Sequence, residues 1–191
     1  MTTCALRWRN TNSRSVPHAV AARPERIARQ GVGHVPDGRG TFAQLSAEEN
    51  LRLGAQARPT RAARADVAGD MERMFGYFPR LRERRTQQAG TLSGGEQQML
   101  ATGRALCINP SVLLLDEPTE GLQPSMIEQI RQAVTVLRDR GVAILLVEQR
   151  VDAVLSIADR VVFLENGRSH DPVSAAALRD DPDLLHRFVG V

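Results

Sequence analysis

The 191-residue sequence contains no lysine; every one of its 25 Lys+Arg residues is arginine. That absence removes the glycine-rich phosphate loop G-x-x-x-x-G-K-S/T, which needs its lysine as much as its glycines, and no such run occurs anywhere in the chain. Cysteine is nearly absent too. Cys4 and Cys107 are too few for a disulfide framework, and no secretory-type stretch accompanies them, so a reduced setting without a disulfide is expected. Aromatic residues make up only 4% of the chain, too sparse to offer a stacking platform to nucleic acid. Long apolar runs are missing as well: the longest aliphatic stretch, Val142–Val147, falls far short of the roughly 20 residues of a membrane span. A role at a membrane would therefore require a membrane partner.

What is present is ordinary for a globular protein. At 42% hydrophobic and 25% charged, the chain can bury a core, and its length suits one domain. The net charge of +3 is unevenly placed. Residues 1–31 hold six arginines and one acid, whereas residues 32–191 hold 19 arginines against 21 acids. The basic character belongs to the N-terminal stretch and marks no recurring basic stripe, which argues against nucleic acid as a partner. Residues 1–23 are rich in Arg, Ser and Thr, a composition that also suits an organelle transit peptide. We read them instead as an atypical basic segment of the kind left by truncation or a displaced start, because the body of the protein begins abruptly after them.

Periodicity organises residues 24–191. "QGVGHVP" (30–36) reads as a short strand running into a loop. "LSAEENLRLGAQA" (45–57) opens with Ser46 followed by Glu49 three residues later, a capping box. Residues 66–78 place Val67, Met71, Met74 and Phe78 on one helical face, a core stripe, and Arg82–Arg85 reads as a solvated charge run. Helix formers fill 96–107; the apolar runs 111–117 and 142–148 read as buried parallel strands. Between them, 124–141 starts at Pro124 and ends at Gly141, with apolar residues at helical spacing. A helix over 151–158 and a strand over 160–167, ending in an Asn-Gly turn, complete the alternation. Strands alternating with helices predict a parallel α/β sheet.

Two stretches carry chemistry. In "TLSGGEQQML" (91–100), Ser93 offers a hydroxyl, and Gly94 and Gly95 bare two backbone N–H groups where a helix begins. Helix N-termini hold unpaired donors and a partial positive charge, so they suit anions, and glycine lets a phosphate approach the backbone. In "VLLLDEPTEG" (112–121), an apolar strand delivers Asp116 and Glu117 to its C-terminal tip, the edge at which open parallel sheets bind ligands. Asp116 could hold magnesium there and Glu117 could polarise an attacking water, two of the tasks phosphoryl transfer sets. Either stretch alone could equally be a helix cap; their pairing at this spacing favours the chemical reading.

Together "LSGGEQQ", "LLLDEP" and "LLVEQ" resemble the nucleotide-binding subunits of ABC transporters. "GVGHVPDGRGTFAQLSAEENLRLGA", "QAGTLSGGEQQMLATGRAL" and "DEPTEGLQPSMIEQI" are similar to importers of branched-chain amino acids, amides and urea, and "TEGLQPS" leans toward the urea and short-amide members. The resemblance covers about residues 24–191. It implies a P-loop NTPase-like α/β cassette, incomplete at its N-terminus, with a helical subdomain over about 45–105. It also implies ATP and Mg2+ as ligands, a second ATP-binding subunit and transmembrane permeases as partners, and a cytoplasmic place on the inner face of the plasma membrane, held there by those partners. Soluble cassettes of DNA repair are disfavoured, since no heptads or zinc-type cysteine sets are present.

Residue by residue, the family pattern assigns Ser93, Gly94, Gly95 and Gln97 to nucleotide contact, Asp116 and Asp37 to the metal, and Glu117 and Gln149 to catalysis. Asp37 stands at the Q-loop position, where a longer Gln or Glu is expected. Gln149 replaces a switch histidine, and Gln123 replaces the usual Asp of the D-loop. In the family the signature of one subunit covers the nucleotide held by the other's P-loop. The sequence therefore predicts a chain that hydrolyses ATP negligibly alone and retains the half of the machine that works in trans. The family's P-loop strand is interior, so its loss is expected to leave neighbouring strand edges uncovered, a liability for aggregation.

Overall fold

The computed structural model describes residues 2–7, 22–58 and 66–189. The elements in chain order are β1 (Thr2–Arg7), α1 (Pro24–Arg29), β2 (Val32–Val35), α2 (Ala47–Gln56), α3 (Val67–Tyr77), α4 (Pro79–Glu83), α5 (Gly94–Leu106), β3 (Val112–Asp116), α6 (Pro124–Asp139), β4 (Ala143–Glu148), α7 (Val151–Ile157), β5 (Arg160–Glu165), β6 (Arg168–Ser169), β7 (Val173–Ser174), α8 (Ala175–Asp180) and α9 (Pro182–Val189). They form one seven-stranded sheet of order β2-β3-β4-β1-β5-β6, with β7 also pairing β5.

β2, β3 and β4 are parallel, in the register Val35 opposite Leu115 and Leu115 opposite Leu146. Their apolar runs were expected to be buried throughout. Instead burial alternates: Leu113, Leu115, Ile144 and Leu146 are buried, while Val112, Leu114, Leu145 and Val147 are only half-buried. α5 packs on β2, and α6 and α7 pack on β4, so the helices cover the first of these faces. The connection between β2 and β3 is helical. α2 carries its capping box at Ser46 and Glu49, and α3 buries Met71, Met74 and Phe75. α2 and α5 approach closely at Gly54, where a Cβ would lie 2.2 Å from the carbonyl oxygen of Arg104. The arginine run does more than meet solvent: Arg84 pairs with Glu96 at 2.8 Å and Arg85 with Glu48 at 3.1 Å.

The expectation of uncovered strand edges is overturned. β1 lies between β4 and β5 and runs antiparallel to both, with Thr3 opposite Glu148 and Phe163, and Leu6 opposite Leu145 and Arg160. β5 is therefore parallel to β4, and β1 alone among the long strands runs the other way. The stretch "TTCALR" carries no strand pattern of its own; its seat is the gap between two distant strands. No helix among the described residues is long and apolar enough to cross a membrane.

Candidate functional site

The site is built from two helix- and strand-end clusters. The first sits at the start of α5. Ser93 is the N-cap: its Oγ accepts from the Glu96 N–H at 3.4 Å, while the Glu96 carboxylate accepts from the Ser93 N–H and hydroxyl, each at 2.9 Å. This capping box satisfies the ends of the turn and leaves the N–H groups of Gly94 and Gly95 untaken by the cap. Ser93 is exposed and Gly94 half-buried, so the donor end of the 13-residue helix is open to an incoming anion.

The two glycines differ. A Cβ at Gly94 would lie 3.0 Å from Nη2 of Arg39, the far end of a flexible side chain. A Cβ at Gly95 would lie 2.1 Å from Sδ of Met126 on α6. A side chain at Gly95 would have to displace Met126 from the start of α5. The long-range contact with α6 leaves no local mark in the sequence. Gln97, expected to reach nucleotide, turns its Nε2 back to the Leu92 carbonyl at 3.0 Å and accepts a 3.5 Å hydrogen bond from Arg39 Nη1.

Arg39 was not anticipated. It sits at φ 68° between Gly38 and Gly40, both also at positive φ, and this left-handed run folds its guanidinium over the start of α5. A positive φ on a non-glycine residue is uncommon, and the flanking glycines were the available signal. Its cation stands at the positive end of a helix dipole, where an anion is favoured and a cation is not.

The second cluster lies at the tips of β3 and β4. Asp116 ends β3, is half-buried, and makes no side-chain hydrogen bond among the described residues, so its carboxylate is uncommitted. Glu117 follows at φ 44°, with its N–H held by the Val147 carbonyl at 2.9 Å. Its Oε1 accepts from Gln149 Nε2 at 2.6 Å, which joins the two residues assigned to catalysis. Beneath them Glu148 is 2% exposed. Its carboxylate accepts from the Thr119 N–H and hydroxyl and from the Gln149 and Arg150 N–H groups, clamping the strand tip to the following turn. Sequence reasoning passed over Glu148 and Thr119, because only the fold brings residues 29 apart into one cluster.

Asp37 lies in the exposed turn after β2, a strand next to β3, and has no side-chain hydrogen bond among the described residues. No group of three or more His, Cys, Asp or Glu side chains is gathered for a metal among those residues. That donor set fits magnesium in one mode: an ion held by one or two carboxylates together with substrate phosphates, not by a protein cage. Asp116 is the uncommitted carboxylate at the β3 tip.

The family model described as "ABC transporter" matches residues 7–120. The chain is 45% identical over 166 residues to the high-affinity branched-chain amino acid transport ATP-binding protein BraG of Pseudomonas aeruginosa, a match covering 86% of this chain and 69% of that protein. It is 39% identical over 146 residues to the probable branched-chain amino acid transport ATP-binding protein LivF of Archaeoglobus fulgidus, covering 76% of this chain and 60% of that one. Among solved structures, the dimeric bacterial ABC transporter cassette MJ0796 superposes with a TM-score of 0.69 at 22% identity, covering 81% of this chain and 68% of that one. At that identity the likeness speaks for the α/β cassette fold alone.

Proposed function

This chain belongs to the ABC transporter family, and from that premise we propose that it is the ATP-binding subunit of an importer for branched-chain amino acids, amides or urea. The names of its relatives support the branched-chain amino acid end of that range. The "TEGLQPS" run supports the amide and urea end. Its partners in this reading are permease subunits and a second ATP-binding subunit, and through them it is held at the inner face of the plasma membrane.

The observation that carries the reading is the pairing of an open, capped helix N-terminus at Ser93–Gly94 with the Glu117–Gln149 hydrogen bond at the strand tips. Donors of the first kind hold phosphate oxygens. At the second, Asp116 would take the magnesium, which supplies charge neutralisation on the phosphates. Glu117 accepts a proton from, or orients, the attacking water. Gln149 fixes the Glu117 carboxylate and can donate to a phosphate oxygen, but cannot titrate near neutral pH. Positioning and charge stabilisation supply nearly all of phosphoryl-transfer catalysis, and a chain without lysine lacks one of the usual sources of both.

A second reading is favoured by one further observation, the absence of lysine from the whole chain. In it the chain is a signature donor that completes a site on a partner's nucleotide and does not hydrolyse ATP at its own strand tips. Purified alone, the chain is expected to turn over Mg·ATP at background rate. Robust turnover by the pure protein, abolished by Glu117→Gln, would refute the donor reading and leave the full ATPase subunit standing.

A further inference from the structure

We propose that β1 is a plug: a reversed strand that fills an interior seat built for a parallel one, and so keeps a phosphate loop away from Asp116, Glu117 and Gln149. The proposal rests on the nucleotide-binding reading above and adds the reason the chain's own half of the site is closed.

β2, β3, β4 and β5 share one direction, and the sheet has a gap one strand wide between β4 and β5. Main-chain hydrogen bonds can fill such a gap from either direction, since both ladder types pair every strand residue's donors and acceptors. Direction decides what emerges where. In a sheet of this kind ligands sit at the carboxyl ends of the strands, and a loop that cradles phosphate must leave its strand there to reach a helix N-terminus. β4 delivers Glu148 and Gln149 to that edge, and β3 delivers Asp116 and Glu117. β1 does the opposite. Thr3 is opposite Glu148 at the site edge, and Arg7 is opposite Ile144 at the far edge. β1 ends at Arg7, on the side of the sheet away from the Glu117–Gln149 pair. A phosphate loop placed directly after β1 therefore starts at the edge far from the site while β1 keeps this direction. The rest of the acceptor cluster is intact: Glu117 is engaged by Gln149, and Glu148 is fully clamped. The half-site is therefore closed by the direction of one strand and not by loss of its carboxylates.

Two variants separate strand direction from loop sequence. In the first, residues 8–15 are changed to a G-x-x-x-x-G-K-T octapeptide and β1 is kept. In the second, residues 1–23 are replaced by a strand–phosphate-loop–helix segment whose strand enters the seat parallel to β4. Binding of Mg·ATP is measured by titration calorimetry, with far-ultraviolet circular dichroism reporting the fold. The expected result is no change from the unaltered chain in the first variant and an increase in affinity of at least 30-fold in the second. Equal tightening in both variants overturns the plug and leaves the nucleotide reading intact; a folded second variant that binds no ATP overturns both. Direction is tested independently by disulfide trapping in a Cys4→Ser background. Arg7→Cys with Ile144→Cys is expected to cross-link, and Thr3→Cys with Ile144→Cys is not. The reverse pattern, which a parallel β1 would give, overturns the plug.

Discussion

At the start of α5 the groups left free by the capping box are donors: the Gly94 amide and the Arg39 guanidinium. At the tips of β3 and β4 they are acceptors: the uncommitted Asp116 carboxylate and the Glu117 carboxylate already holding Gln149. The donor end is complete in itself, because a helix N-terminus needs only an anion. The acceptor end is not. Carboxylates repel phosphate unless a cation and a phosphate cradle stand between them, and the strand that would carry the cradle is reversed. A cassette that shares its sites between two chains can lose one end and keep the other. On the proposed reading the two ends can therefore be altered separately.

Three substitutions act on the two ends differently. Gly54→Ala is expected to damage both ends at once. It forces α2 away from the Arg104 carbonyl on α5, and overpacking of this kind costs about 3 kcal/mol; urea unfolding followed by circular dichroism measures the loss. Thr119→Val acts on the acceptor end alone. It removes a donor from the buried Glu148 carboxylate, which is expected to cost about 2 kcal/mol and to leave the donor end's ability to stimulate a partner unchanged. Arg39→Ala acts on the donor end with the opposite sign. Removing a cation from the positive end of the α5 dipole should raise the free chain's stability by about 0.5 kcal/mol at low salt, and the gain should fade as ionic strength rises.

The smallest effect belongs at the far end of α5, remote from both clusters. Burial pushes the Cys107 thiol up to about 12, against a pull downward from Arg58. A raised native value means the folded state holds its proton more tightly than the unfolded state does. The stability tied to this thiol is full below its ordinary pKa and is lost as pH rises from there toward 12. At pH 8 the native thiol should resist alkylation by iodoacetamide, and both ends should behave as they do at pH 7.

Much of this was legible from local pattern. The runs that became β3 and β4, the helix after Pro124 and the Asn166–Gly167 turn were all readable from spacing and turn chemistry. So were Ser93, Asp116, Glu117 and Gln149, because motif residues announce themselves by type and order. What escaped was whatever depends on distant partners. Gly95 looks like a phosphate glycine and is also a packing glycine against Met126. Glu148 looks like the end of a strand and is the clamp under the hydrogen-bonded Glu117–Gln149 pair. β1 carries no pattern that fixes its direction, since a strand in an interior gap takes its polarity from the gap and its connections.

Stimulation of a complete partner tests the division of labour most directly. A cassette subunit with its own P-loop is mixed with this chain, and the ATPase rate is measured with the unaltered protein, with Gly94→Asp and with Glu117→Gln. Gly94 is the better probe than Gly95, since its new side chain meets only the movable end of Arg39 and not a packed helix. The account predicts that Gly94→Asp, which places bulk and negative charge at the donor end, lowers stimulation about 100-fold, on the order of a lost oxyanion-type contact, whereas Glu117→Gln changes it less than twofold. Loss of stimulation with Glu117→Gln and its retention with Gly94→Asp would reverse the assignment of the working half and contradict the account.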